Sequence, residues 1–304
     1  MRRKIKKKKA GAKIPQKEYN GGYGALLGLP DFQTAAGRNK MTKQIMGIVN
    51  ATPDSSYDGD PQNNLDKLLA KCQSHLDDGA DILDIGGESN RPGATPISAE
   101  EELARTLELI KQARKRWPQA VISQDTFKIP VALEGLKAGV NIINDVSGTP
   151  DEDMFKLVKD FGAQIVIMHS RGNPQTMQTL TQYEDILSEI KDFLMNKIAR
   201  AQRCGLSKNQ IIVDPGFGFA KTREQNYKLL AHAATFADLG VRLLIGLSHK
   251  TFLSQPNEKP PKRKTQTLCA NFVALAAGAD ILRVHDVRET KKVVNFFLEL
   301  EANT

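Results

Sequence analysis

The chain has 304 residues, 40% of them hydrophobic and 26% charged, with a formal net charge of +8. That composition excludes collagen-like, low-complexity and largely disordered chains, and no apolar run approaches the ~18 residues of a membrane span. Cys72, Cys204 and Cys269 lie far apart and form no CxxC pair, which argues against a disulfide framework or zinc cluster and for the reducing cytoplasm.

The charge is uneven. Residues 1–44 hold twelve basic and two acidic residues, a net of +10, so residues 45–304 sum to −2. The opening MRRKIKKKKAGAK has no apolar core behind its charges and does not read as a secretory signal. A like-charged run of this kind repels itself, so 1–40 is expected to be a disordered basic extension. Its functional alternatives are adhesion to RNA or an anionic surface, or organelle targeting. The first strand pattern follows Met41, and the ordered domain is expected over 41–304.

Candidate strands follow at 45–49, 82–85, 120–123, 141–143, 164–168, 210–213, 242–246 and 281–284. Most are continuously apolar, as expected of parallel strands covered on both faces. Helix patterns separate them, at 99–116, 151–161, 183–204 and 222–239 among others. Eight β-then-α units predict a (β/α)8 TIM barrel, an α/β fold with a doubly wound open sheet as the competitor.

The active site of such a barrel lies at the C-terminal ends of its strands. Here those ends carry polar residues: Asn50, Gly86-Gly87-Glu88-Ser89-Asn90-Arg91, Asp125, Asn144-Asp145, His169, Asp214-Pro215-Gly216, Ser248-His249-Lys250 and Arg283-Val284-His285-Asp286. A lone Asp after a strand is most simply a helix cap, Asp-Pro-Gly a turn, and His169 a hydrogen-bonded core histidine. Capping does not account for Arg91, Lys250, Arg283 and His285 together. Cationic groups around one mouth suit a phosphate-bearing ligand. Asn50, Asp54 and Asp58 offer oxygens to Mg²⁺ beside it. Asp125, Asn144 and Asp214 fall on alternating, inward positions and suit the N–H donors of a planar heterocycle.

Seven segments carry a family resemblance: IMGIVNATPDSSYDGD, GADILDIGGESNRPGATPIS, SQDTFKIPVALEGLKAGVNIINDVSG, IVIMHSRGNPQTMQ, IIVDPGFGFAKTREQN, LLIGLSHKTFL and ILRVHDVRET. In order and spacing they resemble dihydropteroate synthases of the pterin-binding family. The resemblance implies condensation of 6-hydroxymethyl-7,8-dihydropterin diphosphate with 4-aminobenzoate, giving 7,8-dihydropteroate and pyrophosphate. It implies Asn50 as a ligand of the Mg²⁺ cofactor, and Asn90, Asp125, Asn144, Asp214, Lys250, Arg283 and His285 as the pterin and diphosphate set. It gives catalytic roles to Asp125, Asp214, Lys250, Arg91 and Asp58, and places Ser248, His249 and Tyr57 on the aminobenzoate side. It also implies a homodimer formed through the last helices, including 265–278. The chain departs from the family pattern at Ser56, Asn90, Gln124, Ser170 and His249. A diverged pterin-binding barrel using another amine or methyl acceptor, and a non-catalytic barrel with an RNA-binding tail, are the alternative readings.

Overall fold

The computed structural model describes residues 43–52, 64–148, 151–254 and 263–303. The basic extension 1–40 and the first-loop residues Asp54, Ser56, Tyr57 and Asp58 lie outside the described residues, as does 255–262 before the penultimate long helix.

Eight parallel strands close into one barrel in chain order. They are β1 (Gln44–Asn50), β2 (Ile82–Gly86), β3 (Val121–Asp125), β4 (Ile142–Asp145), β5 (Gln164–Met168), β6 (Ile211–Asp214), β7 (Arg242–Ile245) and β8 (Ile281–Val284). Helices lie between them and after β8: α1 (Leu65–Asp77), α2 (Ala99–Arg116), α3 (Ile129–Lys137), α4 (Glu152–Asp160), α5 (Ile186–Arg203), α6 (Arg223–Ala231), α7 (Ala234–Ala237), α8 (Lys264–Ala276) and α9 (Val287–Ala302). The apolar runs form strands because both of their faces are covered. One cluster, Met46, Ile82, Ile142, Val166, Ile212, Leu244 and Ile281, fills the lower barrel. A larger one, including Ile45, Leu83, Ile122, Ile165, Val213 and Leu243, packs between strands and helices.

The helices begin and end where local chemistry directs. Ser98 caps α2 by accepting from the Glu101 N–H. Glu100, Glu101 and Glu102 lie in its first turn and Arg114, Lys115 and Arg116 in its last, which suits the helix dipole at both ends. Thr222 and Gln225 form a reciprocal capping box at α6. The helix expected from 183 starts at Ile186, because Asp185 is its cap and the Tyr183 hydroxyl donates to Ala220 O at 3.0 Å. The single helix expected over 222–239 is two pieces, α6 and α7.

Gln124 is a polar residue on the outer face of β3, between strand and helix. Its side chain is fully buried, and among the described residues neither amide atom has a hydrogen-bond partner. It fits only because α3 carries a glycine opposite: a Cβ at Gly135 would meet Gln124 Oε1 at 1.8 Å. An unpaired buried amide is destabilising. Gln124→Met keeps the volume and removes the polar atoms, so it is expected to raise unfolding stability by about 1–2 kcal/mol, read from the urea midpoint at constant m. A lowered midpoint would show that the amide is satisfied in solution.

Candidate active site

The strand period of two turns an apolar lower barrel into a polar upper one. On the inner face Ile82 is followed by Asp84, Val121 by Ser123 and Asp125, Ile142 by Asn144, Ile212 by Asp214, and Ile281 by Arg283. Strand pairing sets these side by side, with Gly86 opposite Asp125, Asp125 opposite Asn144, and Met168 opposite Asp214.

Arg283 reaches across this layer. Its Nε donates to Asp84 Oδ2 at 2.6 Å and its Nη2 to Asp125 Oδ2 at 2.7 Å. Asn144 Nδ2 donates to the same Asp84 oxygen at 3.2 Å, and Asn90 Nδ2 donates to Asp125 Oδ1 at 3.2 Å. Burial pushes the Asp125 carboxyl up to about 7; Arg283 pulls it back, while Asp84 and Glu102 add to the rise. Two buried carboxylates thus share one guanidinium.

Asp214 and Lys250 form the other side. Asp214 Oδ1 accepts from the Gly216 N–H at 2.7 Å. Gly216 has φ +72°, and a Cβ there would meet His169 O at 1.9 Å, so the turn after β6 requires glycine. Lys250 Nζ donates to Phe217 O and lies 4.4 Å from the Phe219 ring centroid. Burial raises the Asp214 carboxyl, opposed by the Gly216 bond and Lys250. Burial lowers Lys250 to about 8, opposed first by Asp214.

The turn after β7 is held from several directions. His249 adopts a left-handed φ of +54°, uncommon outside glycine. Its N–H donates to Thr267 Oγ1 at 3.1 Å, and its carbonyl accepts from Arg263 Nη1 at 2.7 Å. Its Nε2 lies 2.6 Å from Asp286 Oδ2, and Lys264 Nζ lies 3.0 Å from the other Asp286 oxygen. The His249 ring therefore turns toward α8 and α9 and packs edge-on against His285, with centroids 5.7 Å apart. Ser248 Oγ accepts from the His285 N–H at 3.1 Å and lies 2.9 Å from His285 Nδ1.

The loop after β2 carries Asn90 and Arg91 and is tied down at its root. Arg105 Nη1 donates to Gly87 O at 2.8 Å, and Lys128 bridges Glu88 and buried Glu102, the latter at 2.7 Å. Gly93 N donates to Pro174 O at 2.9 Å, docking the loop on the one after β5. A cavity of about 230 Å³ opens there, lined by Asn90, Phe127, Val146, Ser147, Met177 and Phe219 among others. Asn50 ends β1 beside Gly86. Among the described residues no group of three or more His, Cys, Asp and Glu side chains could hold a metal ion.

The fold thus brings Asn90, Asp125, Asn144, Asp214, Lys250 and Arg283 to one rim, with Ser248 and His285 adjoining. Tyr57 and Asp58 lie outside the described residues. Sequence reasoning missed Asp84, the shared partner of Arg283 and Asn144. Its signal was present: it is a carboxylate in the middle of an apolar strand, in phase with the inward positions. Phe219, two residues beyond the Phe217 carbonyl, was not singled out in the sequence and lies against Lys250.

Residues 46–285 match the family described as Pterin binding enzyme. The dihydropteroate synthase of Synechocystis sp. (strain ATCC 27184 / PCC 6803 / Kazusa) is 42% identical over 270 residues, covering 87% of this chain and 92% of that protein. The dihydropteroate synthase of Escherichia coli (strain K12) is 39% identical over 247 residues, covering 81% of this chain and 87% of that protein. The structure of dihydropteroate synthase from Xanthomonas albilineans in complex with 7,8-dihydropteroate superposes with a TM-score of 0.77 at 33% identity, covering 88% of this chain and 98% of that one. With most of its length matched in both sequence and backbone, the chain belongs to the family of pterin-binding enzymes.

Proposed function

We propose that this chain is a dihydropteroate synthase, joining 6-hydroxymethyl-7,8-dihydropterin diphosphate to 4-aminobenzoate and releasing pyrophosphate. The observation that carries the reading is the convergence of Asp125, Asn144, Asp214, Lys250 and Arg283 on one rim. The named activity of the relatives and the dihydropteroate held by the Xanthomonas enzyme support it.

The chemistry follows from donor and acceptor types. A pterin presents ring N–H and amino donors along one edge, which the Asp214 and Asp125 carboxylates and the Asn144 amide oxygen accept. It also presents a carbonyl and ring nitrogens, to which the Lys250 ammonium donates. Arg283 and His285, with Arg91 on the loop above, attract the diphosphate. In the reaction the C–O bond between the pterin methylene and the diphosphate breaks, and the electron pair leaves with pyrophosphate. The arylamine nitrogen then bonds to the methylene carbon and gives up its proton. Cationic side chains favour the first step by neutralising the leaving group. Buried carboxylates favour the electron-poor pterin, because their field is little screened in a water-poor mouth. Ser248 and the backbone of its turn hold the aminobenzoate carboxylate, and the loop after β2 helps to exclude water.

Magnesium fits the residues present. It keeps several waters and takes few protein ligands beside substrate phosphates, so the Asn50 amide oxygen suffices on the protein side, with Asp58 on the adjoining loop. When bound, it would neutralise the diphosphate charge. The protein acts in the cytoplasm, a reading that its three free cysteines support. It works as a homodimer. The exposed Phe296 on α9, whose ring lies 5.9 Å from that of Phe272 on α8, supports an apolar contact on those helices.

With dihydropterin diphosphate and Mg²⁺ supplied, pyrophosphate release is expected only when 4-aminobenzoate is added. Release with a different amine alone would favour a diverged pterin-binding enzyme. No binding of the diphosphate would favour a non-catalytic barrel. Because Lys250 loses its proton as pH rises through about 8, kcat/KM for the pterin diphosphate is expected to fall above that pH. Lys250→Arg is expected to move this alkaline limb upward; an unmoved limb would assign it to another group.

A further inference from the structure

His169 follows β5 directly and Lys221 follows the glycine-rich turn after β6, yet neither has a place in the substrate set. The structure brings them together. Lys221 is 3% exposed, and its Nζ donates to Gly216 O at 2.7 Å and Phe219 O at 2.8 Å. The same nitrogen lies 3.1 Å from His169 Nδ1, and His169 is itself 2% exposed. A lysine head has three N–H donors, and three acceptors surround this one. Burial drives His169 down to about 2, and the Lys221 and Arg171 charges add to the fall. Burial thus favours a neutral imidazole; it also lowers Lys221 well below the ordinary lysine value, opposed first by Asp214, and the two flanking carbonyls as acceptors of Nζ favour Nδ1 as the third.

The backbone that Lys221 brackets is the one the rim depends on. Gly216 N holds Asp214 Oδ1, Phe217 O accepts from Lys250, and the Phe219 ring lies against the Lys250 ammonium. Both ends of the stretch have left-handed φ, +72° at Gly216 and +49° at Ala220. At Ala220, which carries a Cβ, such a conformation persists only where surrounding contacts over-determine it. Asn226 adds a contact in the middle, accepting from Gly218 N at 2.6 Å. Among the described residues no bond from the sheet ladder reaches 216–219; beside the turn bond from the Phe219 N–H to Gly216 O at 3.2 Å, side chains hold this backbone.

We propose that Lys221 is a positioning residue, which together with its acceptor His169 locks the 216–219 backbone in the form that aims Asp214 and Lys250 at the same bound ring. The consequence for binding rests on the rim being the pterin site; the bracing itself does not.

Amide hydrogen exchange on the ligand-free protein and calorimetry with dihydropterin diphosphate test the two parts separately. In Lys221→Met, exchange at Gly216 and Gly218 is expected to quicken by about tenfold or more at temperatures where the fold is intact. The Kd for the pterin diphosphate is expected to rise by about tenfold. His169→Leu removes one acceptor and is expected to move both readings in the same direction. His169→Asn offers an amide oxygen near the position of Nδ1 and is expected to stay near wild type. The two histidine variants decide the matter if Lys221→Met does not fold. A lowered melting temperature with unchanged exchange and unchanged Kd would make Lys221 a purely structural residue and overturn the proposal. So would His169→Leu and His169→Asn behaving alike. Wild-type protein that fails to bind the pterin diphosphate would instead count against the proposed function, with the exchange data still judging the brace.

Discussion

A single guanidinium inside the barrel, that of Arg283, holds two carboxylates from two other strands, Asp84 and Asp125. Buried carboxylates are costly unless paired, and removing one partner from such a set typically costs about 3–5 kcal/mol. This ion cluster divides the barrel. Below it, Met46, Ile82, Ile142, Val166, Ile212, Leu244 and Ile281 make an apolar plug. Above it, Asn144 adds a donor to Asp84 Oδ2 and Asn90 one to Asp125 Oδ1, while among the described residues Asp84 Oδ1 has no hydrogen-bond partner. The cluster also sets the charge state of the rim. Burial raises the Asp125 carboxyl above its ordinary value, Arg283 opposes the rise, and the Asp84 and Glu102 charges add to it.

The opposite side of the mouth is built differently. There a glycine turn, not a strand, presents Asp214 with its hydrogen-bond donor and Lys250 with its acceptor. Two construction principles therefore meet at one ligand position. A rigid inner layer of ion pairs supplies fixed charge, and a braced loop supplies backbone polar groups at close range. Fixed charges and dipoles that need not reorganise are what a reaction losing pyrophosphate requires. The loop after β2 is tethered by Arg105 and Lys128 at its root, bonded to Asp125 through Asn90, and docked through Gly93 on the loop after β5.

Much of this was legible in the sequence. Apolar runs covered on both faces gave all eight strands, with ends within two residues of those observed; β3 and β4 run two residues further, to the polar Asp125 and Asp145. Polar residues at successive strand ends gave the rim, because in-phase positions two residues apart share a face. What could not be read was pairing at long range. Arg283 and Asp84 are 199 positions apart and meet only once the barrel closes. Arg283 was therefore read as a diphosphate anchor alone, while its guanidinium also neutralises the core. His249 looked like a mouth residue because it stands between Ser248 and Lys250. A left-handed backbone, invisible in a sequence without glycine there, turns its ring to Asp286. The break between α6 and α7 carries no glycine or proline, so helical spacing ran through it.

Side chains from separate strands grip one flat ring together. Calorimetric Kd values for dihydropterin diphosphate with wild type, Asp214→Asn, Lys250→Ala and the double variant measure this directly. Each single change is predicted to weaken binding about tenfold or more, with a double-variant loss smaller than the product of the two, because both groups serve the same bound molecule. Affinity within twofold of wild type in either single variant would contradict it.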